Sequence, residues 1–175
     1  MKPRSLKARA LQLLAQRDQS RLELRRKLLR QLRREAAVAQ AAGDDPRNAD
    51  ADADADARAN LDERSAAEVE VLLDWLASHG FLSDDRFVES RVHARAPRFG
   101  NLRIKSELAQ HGVALPASVV AELAETELAR AGAVRERRFR EPPSSAAERA
   151  AQARFLAGRG FSSEVIHRLL RHSRA

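Results

Sequence analysis

The chain has 175 residues, 33% of them charged and only 4% aromatic, so its core must be built from Leu, Val and Ala. It has no cysteine, which excludes disulfides, Cys-ligated zinc and a thiol nucleophile. The net charge of +7 is unevenly spread: residues 1–35 hold 12 Lys+Arg against 3 Asp+Glu, residues 131–175 hold 10 against 4, and the middle is acidic. Basic ends of this kind suit a polyanion or an acidic protein surface. The basic N-terminus lacks a signal-peptide core and no apolar run is long enough to span a bilayer, so the expected setting is cytoplasmic, with no membrane partner.

In chain order, residues 5–17 predict a helix on Leu6, Ala10, Leu13 and Leu14. Ser20 and Glu23 form a capping box that opens a second helix, 20–35. Its apolar stripe is Leu24, Leu28 and Leu32, and Arg26, Lys27, Arg30 and Arg34 fall on the opposite side as a basic ridge. Residues 36–64 break the pattern, with no large apolar residue between Val38 and Leu61. Their Asp-Ala alternation predicts a disordered acidic low-complexity insertion. The Asp50–Asp56 spacing is close to a calcium loop, but the required Gly and distal Glu are out of register. A second box, Ser65-Ala66-Ala67-Glu68, predicts a helix start at 66, followed by the stripe Val69, Leu72, Leu73 and Leu76. Gly80-Phe81 closes that helix.

Ser83-Asp84 predicts the next helix, 85–96, on Phe87, Val88 and Val92, with Arg91 and Arg95 inside the apolar sector. Pairing with Asp84, Asp85 or a neighbouring unit is the expected role of those two arginines. Pro97 stops the helix and Gly100 permits the turn. Asn101 is the expected cap of helix 102–111, which buries Ile104 and Leu108, turns Arg103 outward and ends at Gly112-Val113. Pro116 opens a helix with Val119, Val120, Leu123, Ala124 and Leu128 inside. Residues 131–141 predict a short helix on Val134 and Phe139, ended by Pro142-Pro143. A third box at Ser145–Glu148 starts a helix that ends at Gly160-Phe161. Ser162 caps the last helix, whose stripe of Val165, Ile166, Leu169 and Leu170 opposes Glu164, His167, Arg168 and Arg171.

The central helices align so that Leu28, Leu108 and Leu156 share a column and Gly112 matches Gly160. The expected fold is therefore all-α: tandem three-helix, helix-turn-helix-like repeats, about nine helices in an elongated curved array. The expected repeats are 1–80, interrupted by the acidic insertion, then 81–130 and 131–175. The five histidines are scattered and form no helical metal pattern, and there is no phosphate-binding Gly loop or nucleophile motif. A non-enzymatic chain with no metal and no cofactor is expected.

Three stretches carry a family resemblance: ALQLLAQRDQSRLELRRKLL, VLLDWLASHGFLSDDRFVESRVHARAPRFGNLRIKSELAQHGV and RFLAGRGFSSEVIHRLL. With them the chain resembles the RecX regulatory family, and the middle block is the specific part. The resemblance implies three-helix repeats in a crescent that binds RecA recombinase filaments and restrains their ATPase, strand exchange and co-protease activities. DNA repair and the SOS response would be the processes modulated, with single- or double-stranded DNA a weaker partner and a monomeric state. The insertion at 36–64 departs from that pattern, which expects a short connection there. Candidate contacts with RecA or DNA are Arg26, Lys27, Arg30, Arg103, Arg168 and Arg171. Trp75, Phe87, Arg91 and Arg95 are candidates for inter-repeat or concave-face contacts. The alternative reading is a stand-alone DNA-binding module of helix-turn-helix-like units.

Overall fold

Leucines at helical spacing dictate helices that must bury one face against a neighbour, and every described secondary-structure element is a helix. The computed structural model describes residues 5–41 and 51–172, with the backbone alone described at 40, 41, 51–59, 61, 62 and 172. Among the described residues the helices are α1 (Leu6–Gln16), α2 (Arg21–Ala41), α3 (Ala51–Ser78), α4 (Asp84–Arg95), α5 (Asn101–Gln110), α6 (Ala117–Arg138), α7 (Ala146–Gly158) and α8 (Ser163–His172). They fall into two compact units, Met1–Asp84 and Asp85–Ala175.

In the first unit, Ala10 of α1, Leu24 and Leu28 of α2, and Val69, Leu73 and Leu76 of α3 close one core with Leu82. These are the predicted stripes, and each fully buried Leu contributes about 2 kcal/mol. Ser20 Oγ accepts from the Glu23 backbone N–H at 3.1 Å, as the capping box predicts. The helix boundaries differ from expectation over 36–64. The α2 helix runs on to Ala41, and α3 already begins at Ala51, so Ser65 lies inside a helix and does not start one. Alanine is the strongest helix former, so an Ala at every second position sustains a helix that has little apolar surface. A capping box is a preference for an end and not an obligatory stop. The remainder of the acidic run, 42–50, lies outside the described residues, as do the side chains of the Asp50–Asp56 spacing.

The second unit has two cores strung on one helix. Phe87, Val88, Phe99, Ile104, Leu108 and Leu123 form the first of these. Ala131, Val134, Leu156, Phe161, Ile166 and Leu170 form the second. The α6 helix contributes Leu123 to one and Ala131 and Val134 to the other. The separate short helix expected at 131–141 is instead the C-terminal half of α6, which continues unbroken to Arg138. Gly132 does not break it, because one glycine inside a helix costs only about 1 kcal/mol; a Cβ there would meet Leu169 Cδ1 at 3.8 Å, an ordinary contact. The predicted α6 stripe is partly out of phase: Val120 is 46% exposed, while Glu127 is buried one turn after Leu123.

Three helices end in the same turn. Gly80, Gly112 and Gly160 have φ of 72°, 72° and 81°, in the left-handed region that glycine adopts without strain. In each case the next residue's N–H reaches back to a buried leucine: Phe81 to Leu76, Val113 to Leu108 and Phe161 to Leu156. The three marks are chemically alike but not equivalent in place, because Gly80 follows α3 whereas the others follow α5 and α7.

The two cores of the second unit are joined backbone to backbone. Gly100 N–H donates to Arg159 O at 3.0 Å and Leu102 N–H to Gly160 O at 3.1 Å. A Cβ on Gly100 would fall inside the contact radii of Gly160 O and Phe161 N, and one on Gly160 would lie 2.7 Å from the Arg103 nitrogen. Nothing in that contact is a flexible side chain that can yield. Gly100→Ala is therefore expected to destabilise the second unit by about 2–3 kcal/mol. Gly158→Ala, which meets no atom within 4 Å, is expected to be neutral or slightly stabilising. Urea unfolding of the two variants checks both signs.

Candidate functional site

Arginine is the residue this surface is built from, and the helices sort its copies by whether a carboxylate lies within reach. On α2, Arg21 pairs with Glu70 at 2.6 Å and Asp74 at 2.8 Å, and Arg25 pairs with Glu70 at 2.5 Å. Hydrogen bonds from Arg21 and Arg25 hold the Glu70 carboxyl below its ordinary range. Those two arginines fasten α2 to α3. Lys27, one of the predicted contact residues, is half-buried; its ammonium lies 2.9 Å from Glu23 Oε1 and also donates to Gln19 Oε1 at 2.9 Å. Arg26 and Arg30 are exposed on the predicted ridge, and Arg30 has no ion pair among the described residues.

Trp75 is half-buried in the first unit. His79 stacks on it at 4.1 Å, Phe81 at 5.8 Å, and the Lys7 ammonium sits 3.4 Å from its ring centroid. All of these partners belong to its own unit. Phe87 is fully buried in the core of the second unit, where the His111 ring meets it edge-on at 5.2 Å. Arg91 donates to His111 Nε2 at 3.4 Å and Arg95 pairs with Glu107 at 2.8 Å. Both arginines thus pair at α5 or its C-terminal cap rather than with the expected Asp84 or Asp85 at their own helix start. Arg103, Arg168 and Arg171 are exposed as predicted, with Arg103 3.3 Å from Glu107 and Arg171 Nε donating to His167 O at 3.3 Å.

Residues that sequence reasoning does not single out complete the surface. Phe99 follows α4 and is 9% exposed. Four guanidiniums surround its ring: Arg103 at 4.5 Å, Arg95 at 5.6 Å, Arg159 at 5.7 Å and Arg98 at 5.8 Å from the centroid. Glu107 is shared by Arg95 and Arg103, and Arg98 and Arg159 have no carboxylate partner among the described residues. Their neighbours Pro97 and Gly160 read in the sequence as turn punctuation, which hides the arginines beside them.

Beneath this cluster two charged residues of α6 hold the loops in place. Arg130 donates to Ala96 O at 3.1 Å, Phe99 O at 2.9 Å, Asn101 Oδ1 at 2.6 Å, Leu123 O at 2.9 Å and Thr126 Oγ1 at 3.2 Å. That matches the five N–H donors of a guanidinium. Burial lowers its pKa from the usual arginine value, and the Glu127 charge opposes that shift. Glu127 Oε1 accepts the Asn101 N–H at 2.9 Å and Oε2 accepts the Ser162 hydroxyl at 3.4 Å. The cap of α5 is therefore Gly100, with Asn101 the first helical residue and its N–H satisfied from α6.

Among the described residues no group of His, Asp and Glu is placed to hold a metal ion, and no helix is long and apolar enough to cross a membrane. The arrangement presents exposed cationic surfaces.

The pH response of the first unit follows from Glu23. Burial would raise its carboxyl pKa, but hydrogen bonds from Arg17 and Lys27 outweigh this and hold it at about 2, below the ordinary carboxylate value of 4.5. A depressed folded-state pKa stabilises the fold above pH 4.5, and that contribution disappears as pH falls towards 2. Glu23→Gln is expected to lower the melting temperature at pH 7, with the difference from the parent closing as pH falls through that window. Thermal melts at stepped pH measure it.

Comparison with known proteins agrees with the geometry. A family model of the RecX second three-helix domain matches residues 83–115, and one of the RecX third three-helix domain matches residues 125–170. A regulatory protein RecX of Ralstonia nicotianae is 44% identical over 170 residues, covering 96% of this chain and 87% of its own length. One of Herbaspirillum seropedicae is 45% identical over 166 residues, covering 94% and 88%. One of Neisseria meningitidis is 31% identical over 176 residues, covering 99% and 94%. The helical repeats, the two matched three-helix domains and these relatives agree, and the chain belongs to the RecX family of regulatory proteins.

Proposed function

We propose that this chain is a non-enzymatic cytoplasmic regulator that binds RecA–DNA filaments and lowers the ATPase, recombinase and co-protease activities of RecA. DNA repair and the SOS response are the processes it modulates. The observation that carries this reading is membership of the regulatory family along nearly the whole chain. Exposed arginines on α2, α5 and α8 support it, because a filament of nucleic acid and protein offers anions at repeated intervals. The contact set is Arg26, Lys27, Arg30, Arg103, Arg168 and Arg171. A single exposed ion pair contributes about 0.2–1 kcal/mol, so binding has to come from several such contacts acting together.

ATP hydrolysis by RecA on single-stranded DNA is the direct assay. Substoichiometric amounts of this protein are expected to slow it, and no slowing at equimolar protein contradicts the proposal. Arg30→Glu combined with Arg171→Glu is expected to raise the half-inhibiting concentration about tenfold, the equivalent of about 1.4 kcal/mol.

A further inference from the structure

We infer that the open seam between α7 and α8 is a docking groove for an acidic amphipathic helix of a partner protein. The groove lies wholly within the second unit, and the inference stands whether or not RecA supplies that helix.

Helices α6, α7 and α8 close one core, but a cavity of about 420 Å³ is lined by α7 and α8 alone. It is the outer seam of that pair, on the side that α6 does not cover. Ala146, Ala150 and Ala153 recur at helical spacing and share one wall. Ala146 and Ala150 are exposed and Ala153 is half-buried, while Leu170 of α8 closes the floor. Helix axes ordinarily pack roughly 8–10 Å apart, and walls of alanine allow the near end of that range. The wall runs about two turns, enough for two or three apolar anchors of an incoming helix.

The rim is cationic. Arg149 stands on α7 and Arg171 on α8, with His167 one turn before Arg171. Arg171 Nε donates to the His167 carbonyl at 3.3 Å, which holds the side chain along its helix and leaves its charge unmatched. Neither arginine has an ion pair among the described residues. The acidic residues of the two helices, Glu148 and Glu164, lie in the first turns and line no part of the groove. Glu148 is also occupied, since its Oε2 accepts from the Ser144 N–H at 2.8 Å and the Ser144 hydroxyl at 3.0 Å.

An apolar seam between unanswered cations is complementary to a helix with leucines in one stripe and carboxylates beside it. Such a helix removes apolar surface on both sides from water while its carboxylates meet the planar arginine forks. A phosphate polymer answers the rim alone and brings no apolar group to the seam.

The test uses the full chain and a fluorescein-labelled peptide with leucines at i, i+3, i+4 and i+7 and glutamates elsewhere. Anisotropy is read with neither RecA nor nucleic acid present, so failure here is distinct from failure of the ATPase assay. A control peptide of the same composition has its leucines spread around the helix. The amphipathic peptide is expected to bind about tenfold more tightly than the control. Ala150→Glu puts bulk and negative charge on the wall at an exposed helix position, and is expected to weaken binding about tenfold. Arg149→Gln with Arg171→Gln is expected to weaken it severalfold and to reduce its dependence on salt. Thermal melts confirm that each variant folds. No binding at about 0.1 mM peptide, equal binding of the control, or unchanged affinity in Ala150→Glu overturns the groove. Displacement by inorganic polyphosphate as readily as by unlabelled peptide overturns the choice of a helix.

Discussion

Two loops of the second unit meet backbone to backbone at Gly100 and Gly160, and the placement of its clustered arginines depends on that contact. It occurs where the second and third three-helix domains of the family adjoin, and it leaves no room for a side chain on either glycine. Such an approach would strand polar groups unless something answered them. Arg130 and Glu127 do so from α6, one saturating carbonyls of the α4–α5 loop and the other satisfying the first N–H of α5. The cost of burying a guanidinium is offset because every N–H it carries finds an acceptor.

Because α6 feeds both cores of that unit, the turn between domains is a stretch of continuous helix rather than a linker. Rigid placement then reaches the surface. Arg95, Arg98, Arg103 and Arg159 come from two helices and two turns, yet they converge on one ring because the loops beneath them are fixed. The first unit uses its arginines differently. Arg21 and Arg25 are committed to Glu70 and Asp74 and fasten helices together, while Arg26 and Arg30 face outward on the next positions of the same helix. One residue type therefore both fastens helices together and projects from the surface of the same helix.

The stripes of α2, α3 and α8 were legible because leucine and valine at helical spacing bury themselves wherever a neighbour exists. The Gly-Phe and Gly-Val marks were legible because a left-handed turn needs glycine. Three features were not. The start of α3 was hidden because Asp-Ala alternation signals little burial, although its alanines favour a helix. The unity of α6 was hidden because Gly132 is a poor helix former, yet one glycine inside a helix costs only about 1 kcal/mol and does not end it. The Phe99 cluster was hidden because its members lie far apart in the chain, and no local pattern announces that Arg98 and Arg159 meet over one ring. Glu127 and Arg130 carry no local mark either: Glu127 and three of Arg130's donors meet groups outside α6 that only the tertiary fold supplies.

Native-state hydrogen exchange of the second unit tests the locked junction most directly. The amides of Gly100, Asn101 and Leu102, bonded respectively to Arg159 O, Glu127 and Gly160 O, should exchange only when the unit opens as a whole. They should therefore share the protection of the core amides of Leu108 and Leu156. Exchange at Asn101 and Leu102 about a hundredfold faster than at those leucines would show that the loops open independently, and the account of a fixed platform would be wrong.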